Sequence, residues 1–406
     1  MKKRNWEILA PDPKRHQEPF YDLICKVFSS GDFGFFEGRR ECRRVIGGGH
    51  SHLDWDVSRI AMIGDRLVAN YSVWDYQMRI GRARLRVGGI GCVATHGDFR
   101  KRGIQADTAR ASIEAMRRAG YDMTILFGIP DFYRRFGYAR AWSESSYEVP
   151  VTELRPGAVA PALKRFDVAR DAESHRLYNR THARLTGTAV RPTYRRSWAD
   201  TPYRSWRWAD VRGRMLGYVR CRPRQGEKVL SCCEVAGDTD TALAAVAKLA
   251  RRDGSHRVRF ASIPFDHPLA VRLRRGTCDM EIKYRRCGSA MARTLNLAGC
   301  LHKMGGELSA RLKASPYAGW RGHLAIRDRR EHVVLAIDRG RVRVSGPRTT
   351  AHAIRGGEEV VQLLLGTDEP LEIAAAARMR LTGDARGLVP VLFPHQHPML
   401  SAFDRY

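Results

Sequence analysis

Apolar residues recur at spacings of four and three through residues 104–119. Ala109, Ile113 and Met116 form one stripe, while Arg110, Glu114, Arg117 and Arg118 fall on the solvated side. That pattern predicts an amphipathic helix. Before it runs the apolar stretch 90–95, ending in His96-Gly-Asp-Phe-Arg-Lys-Arg-Gly103; after it comes a second apolar run, 121–127, bounded by Gly128 and Pro130. Both runs predict buried strands, so the local order is strand, Arg-rich turn, helix, strand.

That order builds an anion site. A helix start offers unpaired N–H groups and a partial positive charge, Gly103 allows close approach of backbone, and Arg100, Lys101 and Arg102 add full charges. Two parallel strands that part at their C-terminal ends open a slot beside it for an extended ligand. Alone, an Arg-Lys-Arg-Gly turn is an ordinary surface loop; the flanking strands give it meaning.

The same periodicities lay out the rest of the chain. A helix at 19–28 and strands at 59–62, 67–76 and 78–86 precede the turn, with Ile63-Gly-Asp-Arg as a hairpin. Strands at 214–220 and 229–235, a helix at 239–252, a strand at 258–263 and a helix at 269–274 repeat the rhythm. The turn before that second helix is Val235-Ala-Gly-Asp-Thr-Asp-Thr, in which Asp238 and Asp240 suit a helix start and repel a diphosphate. Further on, 301–312 predicts a helix, 323–326 and 332–337 strands, 360–365 and 371–377 helices, and Pro390 the start of a tail. The boundaries are drawn at 1–150, 151–287 and 288–406.

Val93-Ala-Thr95, Arg100-x-x-Gly103 and Phe132-Tyr-Arg-Arg-Phe-Gly-Tyr138 resemble the acetyl-CoA strand, pyrophosphate loop and terminal motif of the GNAT superfamily of N-acetyltransferases. The whole chain resembles the Eis-type branch in length, in the position of this module and in its ending. The resemblance implies a mixed α/β fold. It comprises a catalytic GNAT domain, a degenerate GNAT-like domain without its own CoA, and a C-terminal α+β domain similar to a sterol-carrier protein. It implies acetyl-CoA as co-substrate, on Val93, Ala94, Thr95, Arg100, Lys101, Arg102, Gly103 and Ile104, with no metal. Tyr133 stands where such enzymes carry a general acid, and the α-carboxylate of Tyr406 where the Eis-type branch carries its base. Tyr138 is expected to pack the end of the module; His96, Asp98 and Asp404 are alternative bases. One departure is Gln105, where the common motif has Gly or Ala; it would either crowd the pyrophosphate or bond to it. A homo-oligomer, a hexamer in that branch, is also implied.

Residues 32–37, Asp-Phe-Gly-Phe-Phe-Glu, offer Asp32, Phe36 and Glu37 as one wall of a pocket for a cationic amine, or as a plug with solvated carboxylates. The acceptor, whether aminoglycoside, polyamine or lysine side chain, is not written in the residues. The competing readings are an apolar-ligand carrier built on the third domain and an acetyltransferase or binder acting on RNA-associated targets.

Composition narrows these. Seventy-one Lys and Arg against 43 Asp and Glu leave a formal charge of +28, and residues 151–287 alone hold 29 basic against 14 acidic side chains. Such a charge attracts polyanions weakly, yet no nucleic-acid motif accompanies it, which argues against specific nucleic-acid binding. Nine scattered cysteines without a Cys-x-x-Cys pair read as reduced thiols in a cytoplasm. Cys92 in the proposed acyl strand is a candidate nucleophile or plain packing. No run of 18 apolar residues exists, so no membrane span is expected.

Overall fold

A computed structural model of the protein describes residues 5–28, 40, 52–154, 157–167, 171–192, 203–224, 226–285 and 288–405. Among them β1 (Glu7–Leu9), α1 (Pro13–Phe28), β2 (Arg59–Ile63), β3 (Arg66–Ile80), β4 (Ala83–Thr95), α2 (Ile104–Arg118), β5 (Met123–Gly128), α3 (Pro130–Tyr133), β6 (Ala139–Arg140) and β7 (Glu144–Pro150) come first. Then follow β8 (Lys164–Arg165), α4 (Ala172–Thr181), β9 (Arg204–Ala209), β10 (Met215–Arg224), β11 (Val229–Ala236), α5 (Thr239–Arg252), β12 (Arg257–Ala261), α6 (Pro268–Leu273) and β13 (Asp279–Lys283). The last stretch holds β14 (Ser289–Thr294), α7 (Leu297–Lys313), β15 (Arg321–Arg327), β16 (His332–Asp338), β17 (Arg341–Ser345), β18 (His352–Arg355), α8 (Val360–Leu365), α9 (Pro370–Ala376), β19 (Arg380–Thr382) and α10 (Ala385–Leu392).

These form three sheets, ordered β1-β2-β3-β4-β5-β14-β6, β13-β7-β12-β11-β10-β9-β8 and β17-β16-β15-β18-β19. The first two repeat one motif. In each, an antiparallel pair (β3 with β4, β10 with β11) leads through a helix (α2, α5) to a parallel strand (β5, β12).

The strands cross the boundaries drawn from sequence. β7 begins at Glu144 and joins the second sheet beside β12, while β14 returns from Ser289 to the first sheet, pairing with both β5 and β6. Apart from a small cluster of Ala325, Val334 and Ala353, most of the buried apolar residues beyond 288 share a core with the first sheet. One continuous cluster runs from Phe20 and Leu23 of α1 through Met78 and Leu85 to Leu301 and Met304 of α7, then Leu324 and Leu392. The second sheet closes around a separate cluster, with Val219, Leu230, Val246 and Phe260 at its centre.

Local differences have local reasons. The hairpin expected near Gln77 lies at Gly81, whose φ of +54° suits glycine, so β3 runs on to Ile80. β4 runs unbroken through Gly88, Gly89 and Gly91, although that glycine run reads as an interruption. A Cβ on Gly88 would sit 2.5 Å from Met116 Sδ, so the missing side chain is what lets α2 lie on the strand. α10 continues through Pro390 because Leu388, Val389 and Leu392 are buried, and that burial outweighs the lost N–H bond of a short helix.

Candidate active site

β4 and β5 pair in parallel only from Val87↔Met123 to Ile90↔Leu126. Beyond that register β4 continues to Thr95 with β3 on one side and, among the described residues, no strand on the other, so the two strands part as the sequence predicts. A bulge lies in the parted stretch. Ser72 faces Gly91 and Asn70 faces Ala94, leaving Cys92 and Val93 opposite Tyr71 alone. Cys92 has φ +50°, and its carbonyl accepts from Asn70 Nδ2 at 2.6 Å. Asn70 is fully buried and also donates to Ser72 Oγ at 2.9 Å, so it pins the bulge. Its signal in the sequence is a carboxamide inside an apolar strand.

The bulge sorts side chains to opposite faces. Val93 packs with Ala106 and Phe132 against the cluster that contains Tyr133, on the α2 side; Cys92 packs against the cluster of α1 and α7. The Cys92 thiol therefore lies on the other face from Tyr133.

At the start of α2, Gly103 has φ +88° and no side chain caps the helix, so the first-turn N–H groups have no side-chain acceptor. Lys101 also has φ +62°. Arg100, Lys101, Arg102 and Gly103 are exposed, Ile104 is buried as the first inward residue, and Val93 and Thr95 are half-buried beside buried Ala94. Arg100 Nε rests 3.4 Å from the Thr95 carbonyl and Arg102 Nη2 donates to the Asp98 carbonyl at 2.8 Å. Gln105 turns away from the loop. Thr95 Oγ1 donates to Gln105 Oε1 at 2.8 Å and Gln105 Nε2 donates to the Asn70 carbonyl at 3.1 Å, tying the helix to the bulge.

Tyr133 closes the slot from the β5 side. Its ring lies over Gly128, where a Cβ would meet Tyr133 Cε2 at 2.4 Å. The ring is buried, burial and then the neighbouring Tyr138 push its pKa well up, and no hydrogen bond engages its hydroxyl among the described residues. Tyr138 is fully buried, 3.0 Å from Tyr71 Oη and 3.1 Å from Thr124 Oγ1. It is a packed, bonded tyrosine.

The alternative bases are occupied. His96 Nε2 accepts from Lys26 Nζ at 2.8 Å and from Arg66 Nη2 at 2.6 Å; burial, Arg66 and Lys26 hold its pKa down. Asp98 lies on that loop, 3.5 Å from His96 Nδ1. Asp404 is fully buried and takes Arg191 Nε at 3.1 Å and Nη2 at 3.0 Å. The same Arg191 binds Glu234 at 2.8 and 2.5 Å, and Glu234 receives Tyr218 Oη at 2.9 Å and Ser401 Oγ at 3.0 Å. Burial alone would raise Glu234; the charge and hydrogen bonds of Arg191 outweigh it and hold it at about 2.

That network seats the end of the chain. Phe403 lies against the Arg220 guanidinium, 3.2 Å from its carbon, and Arg405 pairs with Glu144 at 2.7 Å while covering the ring of Phe127, the residue before Gly128. The residue that follows Arg405, Tyr406, lies outside the described residues, as do Asp32, Phe36 and Glu37.

Residues 21–141 match the family model described as an acetyltransferase (GNAT) domain. No curated protein matches the chain by sequence. Among solved structures, a GCN5-related N-acetyltransferase from Kribbella flavida superposes with a TM-score of 0.74 at 19% identity, over 99% of this chain and 98% of that one. A conserved protein of Enterococcus faecalis described as a probable N-acyltransferase gives 0.73 at 18%, over 99% and 100%. Eis1 from Mycobacterium abscessus gives 0.69 at 16%, also over 99% and 100%. At these identities the likeness is one of fold, and it extends over the whole chain. Residues 21–141 are therefore an acetyltransferase (GNAT) domain, and the chain that carries it is an acyltransferase.

Proposed function

We propose that the protein moves an acetyl group from acetyl-CoA directly to a primary amine of the aminoglycoside, polyamine or lysine type. The observation that carries this reading is the parted, bulged end of β4 beside an uncapped helix start, with Tyr133 over Gly128 on the facing side. The residues fit the co-substrate. Backbone of Val93–Thr95 with no strand partner among the described residues on the β5 side suits an extended amide-bearing chain, and the α2 start with Arg100, Lys101, Arg102 and Gly103 suits a diphosphate. Acetyl-CoA supplies the thioester.

The chain's own groups then divide the work. The free edge of β4 aims N–H groups at the carbonyl oxygen, where charge develops as the amine adds. Tyr133, kept protonated by burial, gives its proton to the departing thiolate sulfur as the C–S bond breaks. The Tyr406 carboxylate takes the proton from the acceptor ammonium. Its support is the path of the chain before it: Ser401 and Asp404 are fixed by Arg191 and Glu234, and Arg405 stands over Phe127 at the end of β5. Asp32, Phe36 and Glu37 are assigned to the acceptor wall, residues 288–406 to a sterol-carrier-like unit, and the assembly to a cytoplasmic homo-oligomer. No helix among the described residues is long and apolar enough to cross a membrane.

Thiol release from acetyl-CoA against aminoglycosides, polyamines and lysine peptides tests the proposal, using wild type, Tyr133→Phe and a chain lacking Tyr406. Turnover that falls at least about 100-fold in both variants is the expected result. Unchanged turnover without Tyr406 would remove the carboxylate from the mechanism; no turnover with any amine would remove the reaction.

A further inference from the structure

A concavity of about 490 Å³ lies between the middle of α2, the Arg135-Phe-Gly137 turn, the end of β14 and two loops of the third sheet. Ile113 in its wall is nine residues beyond Ile104, about 14 Å along the helix at 1.5 Å per residue. Five arginines and three carboxylates line it. The carboxylates are all engaged. Glu358 meets Arg329 at 2.8 Å, Glu114 meets Arg117 at 3.5 Å, and Asp328 accepts the N–H groups of Arg330 and Glu331, each at 2.7 Å. Of the arginines, Arg110 is paired with Asp107 and Arg329 with Glu358.

The other three are not. Among the described residues Arg135, Arg293 and Arg330 have no carboxylate within 4.0 Å. Arg135 lies over the rings of Phe132 and Phe136. Arg293 is only 6% exposed, and among the described residues its side chain donates one hydrogen bond, to the neutral Phe136 carbonyl. Beside it the hydroxyl of Thr294 is buried without a hydrogen-bond partner. Burial is the largest influence on Arg293 and disfavours its charge, and the cation of Arg330 adds to that. A buried guanidinium is favoured by an anionic group in direct contact with it, and among the described residues no carboxylate makes that contact with Arg293. The face left open to Arg293 is the cavity.

We propose that this cavity binds a small phosphate-bearing anion, held by Arg293, Arg330 and Arg135. Arginine forks match phosphate oxygens in pairs, and the volume admits a ligand between pyrophosphate and a nucleotide in size. The site is separate from the proposed transferase slot and does not depend on it. Because its walls are the turn after Tyr133 and loops of the third sheet, an occupant would tie those two parts together.

Calorimetric titration of the full chain with inorganic pyrophosphate at low ionic strength tests it. Arg135→Ala/Arg330→Ala alters two exposed side chains and is compared with Arg100→Ala/Arg102→Ala, which alters the turn before α2. Loss of one binding event, or its weakening at least about 10-fold, in the first pair but not the second is the expected result. Three outcomes overturn the proposal: pyrophosphate binding lost only in the Arg100/Arg102 pair, binding indifferent to Arg135 and Arg330, or no pyrophosphate binding. Citrate bound in place of pyrophosphate would overturn the phosphate assignment.

Discussion

The first two sheets hold the same motif and put it to opposite uses. In the first, β4 and β5 part after Ile90 and Leu126, and the helix that follows starts at a bare glycine. In the second, β11 and β12 pair up to Cys232 and Phe260 and then part in the same way. There the gap is filled: Glu234 on β11 binds Arg191 and Ser401, and Met399 and Ser401 lie beside Ser262, Ile263 and Pro264 just past the end of β12. The helix start is filled as well, by Asp238, whose carboxylate accepts the Thr241 N–H at 2.8 Å. An acid at a helix start repels the phosphate that a bare glycine admits. One scaffold thus gives an open gap, the proposed ligand slot, in the first sheet and a seat for the C-terminal segment in the second, and a few side chains decide which.

The largest effect should come from emptying the filled slot. Arg191→Met leaves Glu234 and Asp404 buried without their cation and is expected to cost about 3–5 kcal/mol in urea unfolding, with loss of turnover as the C-terminal segment is released. A cost under about 1 kcal/mol would mean the network does not hold that segment.

Next comes Tyr133→Phe, which should lower turnover about 100-fold or more while leaving the melting temperature within about 2 °C, since no hydrogen bond of the fold is removed. A large drop in stability with full turnover would make Tyr133 a packing residue like Tyr138.

The filled slot should also be acid-sensitive. Burial holds His182 at about 4 and His267 at about 3, below the ordinary 6.5, so between pH 6.5 and 4 the unfolded chain binds protons that the folded chain refuses. Stability is then full above pH 6.5 and falls as pH drops toward 4. Glu234, held at about 2, adds a further loss below about pH 4.5. His267→Asn can still accept from the Leu269 N–H, which His267 now caps at 3.1 Å, and should shrink the loss between pH 6.5 and 4 by about 2–3 kcal/mol in denaturant titrations.

The smallest changes exchange the two helix starts. Gly103→Asp should raise the KM for acetyl-CoA about 10-fold with little change in kcat, placing a carboxylate where phosphate is proposed to sit. Asp238→Ala should cost about 1 kcal/mol of stability and leave both kinetic constants unchanged.

Much of this contrast was written locally. The stripe Ala109, Ile113, Met116 and the flanking apolar runs gave strand, turn, helix and strand; Arg100-x-x-Gly103 against Asp238 and Asp240 told the two turns apart. Helix ends were harder, since α1 begins at Pro13 and α7 at Leu297, where capping by Asp12 and Asn296 extends the apolar pattern. Asn70 and Gln105 could not be paired from sequence, because they are 35 residues apart and meet only once β3 and β4 are in register.

Periods of 2 and 3.6 residues are properties of neighbours along the chain, so the sequence by itself determined which segments are strands and helices and which helix start is fit for an anion. Pairings across long separations depend on which edges remain open after the local elements form, and only the tertiary structure decided those. It returned β14 to the first sheet, moved β7 to the second, and merged the cores around α7. It set Arg191, Glu234 and Asp404 together in the second slot and left Arg293 facing a cavity, because a buried charge is defined by what surrounds it in space and not by its neighbours in sequence.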